Sequence, residues 1–353
     1  MNNVLIYCNT HYQILMAIHI ALTIHKESIV DAIISDHISD GNRITEKLKH
    51  VGVFNEVYYF NSIDVARRKS KIKGILDIIK YSIGATSISF TKQYSEIIAY
   101  NFDISTYELL NFQEKNMQNC IWSKMDEGIF SYNTQFYLKG KRYQSISKVR
   151  SLLGKKKENV LFEKYYCCFP ELLNTYKDLE LVMVPSLEED MQQLRGILSY
   201  IYDQKSYGIK EKYIFFASSG SIDSYDMQES SLIKKIVDKV GSNSVVIKKH
   251  PRDNTDFFET YGLKMIETSG VPWEAFHIIN GFYDKIFLTV SSGAFITSSA
   301  WLRANNKAIF LLPEIKVLPN SIEEYVKNIR LSLDRLHNIG LCTNMKEGKV
   351  DDI

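Results

Sequence analysis

Short apolar runs alternate along the first half of the chain with longer segments of helical periodicity. The apolar runs predict strands over Val4–Cys8, Ile29–Ser35, Glu56–Phe60 and Glu96–Tyr100. The intervening segments with a helical repeat are His11–His25, Asn42–Val51 and Ile63–Ile83. Strands that alternate with helices form parallel sheets whose faces are covered by those helices. The first half is therefore predicted to be an α/β unit.

The alternation breaks once and then resumes. From about Lys139 to Asp178, a dense basic run is followed by a patch rich in aromatic residues and cysteine. Beyond it, the predicted strands are Leu181–Val184, Tyr213–Ala217, Ser244–Lys249, Ile286–Val290 and Ala308–Leu312. The predicted helices are Glu188–Tyr202, Gln228–Val240, Trp273–Ile279, Ala294–Ala304 and Ile322–Leu336.

Two doubly wound halves separated by an irregular connector indicate an α/β fold of the GT-B type, in which two Rossmann-like domains face a central cleft. A single large sheet is the alternative. The predicted boundaries are 1–155 for the N-terminal Rossmann-like domain, 156–180 for a connector and 181–353 for the C-terminal Rossmann-like domain. Ligands of such sheets bind beyond the carboxyl ends of the strands, so the chemistry is expected there.

Composition narrows the class of protein without deciding its chemistry. The chain has 45% hydrophobic and 24% charged residues, and its formal charge of +2 gives no reason to expect nucleic acid. The five cysteines lack metal or disulfide spacing and no signal-peptide pattern is visible, so a cytoplasmic location is expected. No GxGxxG or GxxxxGKS/T motif occurs, which disfavours dinucleotides and P-loop nucleotides.

A basic turn is predicted after the strand Ser244–Lys249. His250 and Pro251 follow Lys248 and Lys249, and the proline ends the strand. Because cations surround the histidine, an anion is its expected neighbour. A solvated basic turn is the ordinary alternative.

A serine pair and a glutamate form the other candidate features of the second half. Ser291 and Ser292 come between a predicted strand and a predicted helix, where hydroxyl groups and a helix N-terminus favour an anion. Glu274 falls in the first turn of another predicted helix and could hold ribose hydroxyls. A serine N-cap and a glutamate that stabilises the helix dipole are the ordinary interpretations.

An acidic pair before a glycine is the candidate feature of the first half. Asp126, Glu127 and Gly128 follow the apolar residues Cys120–Trp122. Adjacent acids can leave one carboxylate with a raised pKa, which suits a general base. An acidic turn is the alternative.

Taken in order, these motifs resemble those of the bacterial sialyltransferases, and most closely glycosyltransferase family 52, the lipooligosaccharide and capsule sialyltransferases. The shared features are an acid-acid-Gly motif, a His-Pro motif and a Ser-Ser/Thr motif, here Asp126-Glu127-Gly128, His250-Pro251 and Ser291-Ser292. The resemblance implies a GT-B fold, CMP-sialic acid as the donor substrate, and inversion at the anomeric carbon without a metal or other cofactor. It also implies a glycan acceptor.

The same resemblance implies a role for each matching residue. His250 and Pro251 would form the CMP site with Ser291 and Ser292, the histidine assisting departure of the phosphate. Glu274 would hold the ribose, and Lys248 would lie near the cytosine. Asp126 would be the base that deprotonates the acceptor, with Glu127 and Gly128 on the acceptor side. In family 52 the base can come instead from the second domain, where Asp223 and Asp226 are the alternatives.

The absence of metal-ligand spacing agrees with the monoester leaving group of CMP, which needs a metal less than a diphosphate does. Two basic clusters, Arg67–Lys73 and Lys139–Lys157, predict peripheral contact with the inner face of the cell membrane, a solvated surface being the alternative. A homodimer is a further expectation. The rival functions are a GT-B transferase for another nucleotide sugar and a non-catalytic glycan-binding or assembly protein.

Overall fold

A computed structural model gives the fold of the chain. It describes residues 2–61, 76, 79–84, 86, 89–101, 104–117, 119–132, 141–155, 162–173, 179–187, 191–204, 208–217, 229–250, 261–266, 270–282, 284–304, 306–314 and 320–353. The chain divides into two compact units. The first comprises Met1–Glu127 and Thr134–Pro185, and the second comprises Gly128–Asn133 and Ser186–Ile353.

The first unit is built on a parallel sheet of seven strands. The strands are β1 (Asn3–Cys8), β2 (Ile29–Ser35), β3 (Val57–Phe60), β4 (Glu96–Ala99), β5 (Ile121–Met125), β6 (Phe162–Cys167) and β7 (Glu180–Met183). The helices with full bounds are α1 (His11–Leu22), α2 (Gly41–Val51), α3 (Ile104–Asn116) and α4 (Lys141–Leu152). The strand order is β3-β2-β1-β4-β5-β6-β7. The order reverses between β1 and β4, which is where a doubly wound sheet binds ligands.

The second unit is built on a parallel sheet of six strands. The strands are β8 (Tyr213–Phe216), β9 (Val245–Lys248), β10 (Lys264–Met265), β11 (Ile286–Thr289), β12 (Lys307–Phe310) and β13 (Met345–Glu347). The helices are α5 (Met191–Ile201), α6 (Glu229–Val240), α7 (Trp273–Asn280), α8 (Ala294–Trp301) and α9 (Asn320–Asn338). The order β10-β9-β8-β11-β12-β13 reverses between β8 and β11. Both units therefore have the doubly wound topology predicted from the alternating pattern.

Burial explains why the central strands are continuous apolar runs. Val4–Cys8 of β1 are at most 1% exposed, as expected for a parallel strand covered on both faces. The loop after β1 turns at once into α1, where Thr10 is the N-cap residue and its hydroxyl accepts the Gln13 N–H at 3.2 Å. The carboxyl end of the strand thus leads directly to a helix N-terminus.

The predicted domain boundaries differ from those of the structure. The predicted connector over 156–180 contains β6, and the strand predicted over Leu181–Val184 is β7, which pairs with β6 in the first sheet. Strand β6 was missed because Glu163 and Lys164 interrupt its apolar pattern near the start. The chain also enters the second unit early, since Gly128–Asn133 belong to it.

The second basic cluster is in part helical and in part buried. Residues 141–152 form α4, and Arg150 on this helix is fully buried. Its guanidinium donates to Oδ1 of Asn111 at 2.7 Å and pairs with Glu114, which also pairs with Lys155. Arg150 is therefore not available to a membrane, contrary to the prediction for the whole cluster. The cluster Arg67–Lys73 lies outside the described residues.

No helix among the described residues is both long and apolar enough to cross a membrane.

Candidate active site

In the second unit, a buried lysine and a half-buried histidine lie at the carboxyl end of β9. Lys248 is 7% exposed, and its Nζ donates to the carbonyl oxygen of Lys249 at 2.8 Å. Burial lowers the pKa of Lys248 to about 8, and the nearby charge of Glu274 opposes that shift. His250 follows two residues later and is half-buried. The structure thus brings Lys248 close to Glu274, two residues that sequence analysis assigned to one site.

Glu274 is the second residue of α7. Aromatic packing of Trp273 holds the first turn of this helix against the sheet. The ring of Trp273 meets Phe216 of β8 edge to face, with ring centroids 4.6 Å apart. Pro272 is the N-cap residue, which sets the direction of the chain into the helix. The half-buried carboxylate lies where the helix dipole favours a negative charge.

The serine pair follows β11 at the point where the strand order reverses. The hydroxyl of Thr289 donates to the carbonyl oxygen of Phe216 at 3.0 Å and accepts the Ser292 N–H at 2.9 Å. Gly293, and not a serine, is the N-cap residue of α8, although Oγ of Ser292 accepts the Ala294 N–H at 3.5 Å. The two serines instead form the turn that precedes the helix.

Strand register relates the two turns to each other. Phe216 of β8 is the partner of Lys248 on one side and of Thr289 on the other. His250 and Ser291 each lie two residues beyond this shared row. Two strand spacings separate β9 from β11 by about 10 Å. The two turns therefore flank the end of β8.

A buried polar network that sequence analysis missed lies behind this edge. His277 of α7 is 0% exposed, and its Nδ1 lies 2.9 Å from Oγ of Ser298 on α8. Burial lowers the pKa of His277 to about 4, so the ring is neutral at neutral pH. The contact joins α7, which carries Glu274, to α8, which follows the serine pair. No sequence signal marks it, because an isolated histidine in an apolar helix has no distinctive spacing.

In the first unit, the acidic pair directly follows β5 and contacts α1. Asp126 is 0% exposed, and its carboxylate accepts from the Tyr12 hydroxyl at 2.8 Å. Glu127 is half-buried and accepts from the Thr10 hydroxyl at 2.7 Å and from the side-chain amide of Gln13. Burial raises the pKa of Glu127 to about 7, and the charge of Asp126 raises it further, while the bonds from Gln13 and Thr10 oppose the shift. The two adjacent acids thus have different surroundings.

Sequence analysis also missed a buried lysine two residues before the acidic pair. Lys124 is 4% exposed, and its Nζ lies 4.7 Å from the ring centroid of Tyr165 and 5.7 Å from that of Tyr100. Burial lowers its pKa to about 8, and the charge of Asp126 opposes the shift. Its spacing of two residues from Asp126, which directly follows β5, is the signal that could have identified it.

Several predicted site residues lie outside the described part of the chain. They are Pro251, Asp223 and Asp226. Among the residues that the structure describes, no group of three or more histidine, cysteine, aspartate or glutamate side chains is arranged to hold a metal ion.

The chain was compared with protein families, with curated proteins and with solved structures. No protein-family model matches the chain. A Haemophilus influenzae protein of uncharacterised function is 22% identical over 246 residues, which cover 64% of this chain and 76% of that protein. The glycotransferase of kitacinnamycin superposes with a TM-score of 0.53 at 8% identity, over 99% of this chain and 87% of the other. Arabidopsis thaliana UGT89C1 complexed with UDP gives 0.52 at 9% identity, over 98% and 86%.

The chain has a GT-B fold. Its two parallel-sheet α/β units confirm the predicted fold class, and the identities are low enough that the likeness concerns the fold alone. A sialyltransferase from Photobacterium damsela superposes with a TM-score of 0.48 at 12% identity, over 98% of this chain and 81% of that protein. That score is too low to carry an argument about activity.

Proposed function

We propose that the chain is an inverting, metal-independent sialyltransferase. It moves sialic acid from CMP-sialic acid to a terminal galactose-type sugar of a bacterial surface glycan, such as capsule or lipooligosaccharide. The observation that supports this most is the shared register row at Phe216, because His250 and Ser291 each lie two residues beyond that row at the carboxyl end of the sheet. The edge is a topological switch point, which is where nucleotides bind in doubly wound sheets.

The chemistry of the second-unit residues suits a leaving nucleoside monophosphate. As the glycosidic bond breaks, negative charge develops on the phosphate of CMP. His250, the hydroxyls of Ser291 and Ser292 and the N-terminus of α8 are groups that stabilise such a charge. Glu274 holds the ribose, and Lys248 lies near the cytosine and beside Glu274. Pro251 directly follows His250 in the sequence.

The first unit takes the glycan acceptor in this proposal. The acid-acid-Gly motif supplies the carboxylate that receives the proton of the acceptor hydroxyl. Asp223 and Asp226 of the second unit are the alternative bases. Because the acceptor is part of a surface glycan, the proposal includes peripheral contact of a cytoplasmic protein with the membrane. A homodimer is a separate part of the proposal.

The main rival is a GT-B transferase that uses another nucleotide sugar. It is favoured by the UDP that accompanies the Arabidopsis thaliana structure. Thermal unfolding with CMP, UDP and GDP separates the two, since the bound nucleotide raises the unfolding midpoint. Sialyltransfer requires stabilisation by CMP, and stabilisation by UDP alone would contradict it.

A panel of glycan acceptors with CMP-sialic acid, with the product linkage read by NMR, then tests transfer. Hydrolysis of CMP-sialic acid without acceptor would count against a purely glycan-binding role.

A further inference from the structure

His277 of α7 and Ser298 of α8 form a buried polar contact between two helices of the second unit. Both residues are 0% exposed, and Nδ1 of His277 lies 2.9 Å from Oγ of Ser298. The hydroxyl of Ser298 also donates to the carbonyl oxygen of Phe295 at 3.2 Å. A buried hydrogen bond, unlike an apolar contact, holds its two partners at a defined distance and direction.

The contact belongs to a polar network that reaches a third element. Nε2 of His277 lies 3.4 Å from Nδ2 of Asn306, which directly precedes β12. The same amide nitrogen donates at 3.0 Å to Oγ of Ser299, the neighbour of Ser298 on α8. Both nitrogens of the His277 ring thus have polar neighbours, which fix the orientation of the ring.

Apolar packing alone specifies the rotation of α7 about its axis only loosely. The rings of Trp273 and Phe287 each lie 5.9 Å from the ring of His277, measured between centroids. Because apolar contacts are non-directional, they resist a small rotation of the helix less than a hydrogen bond does. The contact with Ser298 therefore defines the rotation of α7 relative to α8.

Glu274 lies on the same helix, three residues before His277. Residues with this spacing are neighbours on one side of a helix. A rotation of α7 by about 10° would move a side-chain tip, at a radius of about 5–6 Å, by roughly 1 Å. A misplacement of about 1 Å at a binding group can lower a rate by about 10²-fold. The placement of the Glu274 carboxylate therefore depends on the contact that His277 makes.

Helix α8 is a fixed reference for that rotation, because its N-terminus is tied to the sheet. The hydroxyl of Thr289, the last residue of β11, accepts the Ser292 N–H at 2.9 Å, and Oγ of Ser292 accepts the Ala294 N–H at 3.5 Å. Ser298 lies about one turn further along the helix than Ala294. The contact between His277 and Ser298 thus relates the helix that carries Glu274 to the helix that follows the serine turn.

We infer that His277 and Ser298 are positioning residues that hold the Glu274 carboxylate against the ribose of the donor nucleotide. The inference rests on the proposed transferase function, in which Glu274 holds the ribose. His277 and Ser298 do not touch the nucleotide, since both are fully buried. Because they act through Glu274, their loss is expected to weaken discrimination for the ribose hydroxyls more than it weakens nucleotide binding in general.

The test compares affinity for CMP with affinity for its 2′-deoxy and 3′-deoxy forms, measured by calorimetry. Wild type is expected to prefer CMP over at least one analogue by about 10–100-fold, the usual loss when a hydrogen bond to a charged group is removed. Ser298→Ala and His277→Phe are each expected to reduce this preference to about threefold or less, as is Glu274→Gln. His277→Asn, which keeps a donor near the Nδ1 position, is expected to retain most of it.

Arg195→Met is the matched control, because Arg195 of α5 donates from Nε to the carbonyl oxygen of Ile278 on α7 at 3.0 Å. It removes a polar contact nearer the C-terminal end of the same helix, so it should lower the unfolding midpoint and leave the preference unchanged. Adding His277→Phe to Glu274→Gln should lower the preference no further, because residues that act through one another are not additive.

A wild-type preference in Ser298→Ala would overturn the inference, and this variant decides the question if His277→Phe does not fold. An equal loss of preference in Arg195→Met would overturn it too, because general loosening of α7 would then be the cause. If another nucleoside phosphate binds in place of CMP, the donor assignment fails, and the same variants are compared with that nucleotide and its deoxy forms.

If wild type binds CMP without discriminating against either analogue, Glu274 does not hold the ribose and the inference fails, while the donor assignment stands. Binding of no nucleotide at all would refute the proposed function and the inference together.

Discussion

The backbone N–H of Ile129 donates a hydrogen bond to Oγ1 of Thr297 at 3.0 Å. Ile129 directly follows the acid-acid-Gly motif, and Thr297 lies on α8, the helix that begins after the serine pair. Both residues belong to the second unit. Gly128 precedes this contact with φ of +92°, and a Cβ atom there would lie 3.1 Å from Oγ1 of Thr297. The glycine of the motif is thus required by backbone conformation and by space.

Gly128→Ala is therefore expected to destabilise the protein by about 1–3 kcal/mol, since it combines an unfavourable φ with a close contact. The measurement is the free energy of unfolding in denaturant. Gly154→Ala is the matched control, because Gly154 also has a positive φ, +76°, but has open space at the Cβ position. An equal loss in the two variants would show that the packing against Thr297 contributes nothing.

The fold was predictable where burial and sequence pattern coincide. Strand β2 was predicted with the bounds that the structure has, because every residue from Val30 to Ser35 is buried. Strand β6 was missed because Glu163 and Lys164 interrupt its apolar pattern, and helix α4 was missed because its buried residues include Arg150. Arg150 is fully buried, yet its charge placed it in a surface cluster in the sequence-based prediction. A sequence does not reveal that Asn111 and Glu114 compensate that charge, since these contacts span more than 35 positions.

The candidate site was predictable in its residues more than in its geometry. The carboxyl ends of parallel strands lie on one edge, so the prediction that Lys248 and Ser291 flank one site follows from topology. The difference between Asp126 and Glu127 does not. It depends on Tyr12, Thr10 and Gln13, which reach the acids from more than a hundred residues away.

The titration of Glu127 gives a prediction about stability that is independent of activity. Its pKa in the folded protein is about 7, above the usual value of 4.5 for a glutamate, so between these pH values the folded state holds a proton that the unfolded state has lost. The contribution of Glu127 to stability is therefore greatest below about pH 4.5 and is lost as the pH rises through 7. The unfolding midpoint of wild type, relative to that of Glu127→Gln, is expected to fall between pH 5 and pH 8.

Thermal unfolding of both proteins at several pH values measures this difference. Glu46→Gln is the control, because its carboxylate is on the surface of α2 with 57% of the side chain exposed. A constant difference between wild type and Glu127→Gln from pH 5 to 8 would contradict the raised pKa.

Turnover is expected to survive chelation of metals. The proposed leaving group is a monoester, whose developing negative charge is stabilised by His250, two hydroxyls and a helix N-terminus. Transfer assayed in excess EDTA should match transfer in untreated enzyme. Loss of activity with EDTA that added Mn²⁺ or Mg²⁺ restores would contradict the metal-independent proposal.

His250→Ala is expected to lower turnover by about 10²–10⁴, the usual loss when a positioned group that stabilises the leaving oxygen is removed. Folding should be largely intact, because His250 is half-buried and lies beyond the last residue of β9. Affinity for CMP should weaken as well, since the histidine contacts the phosphate in the proposed site.

His337→Ala is the matched control for this variant. His337 lies in the last turn of α9 in the same unit, is also half-buried, and donates from Nε2 to the carbonyl oxygen of Cys342 at 2.9 Å. Its loss should change thermal stability without lowering kcat, because nothing places it at a strand end. Comparable turnover in the two variants, at equal thermal stability, would remove His250 from the reaction. The phosphate would then have to be held by the serine turn and α8 without the histidine.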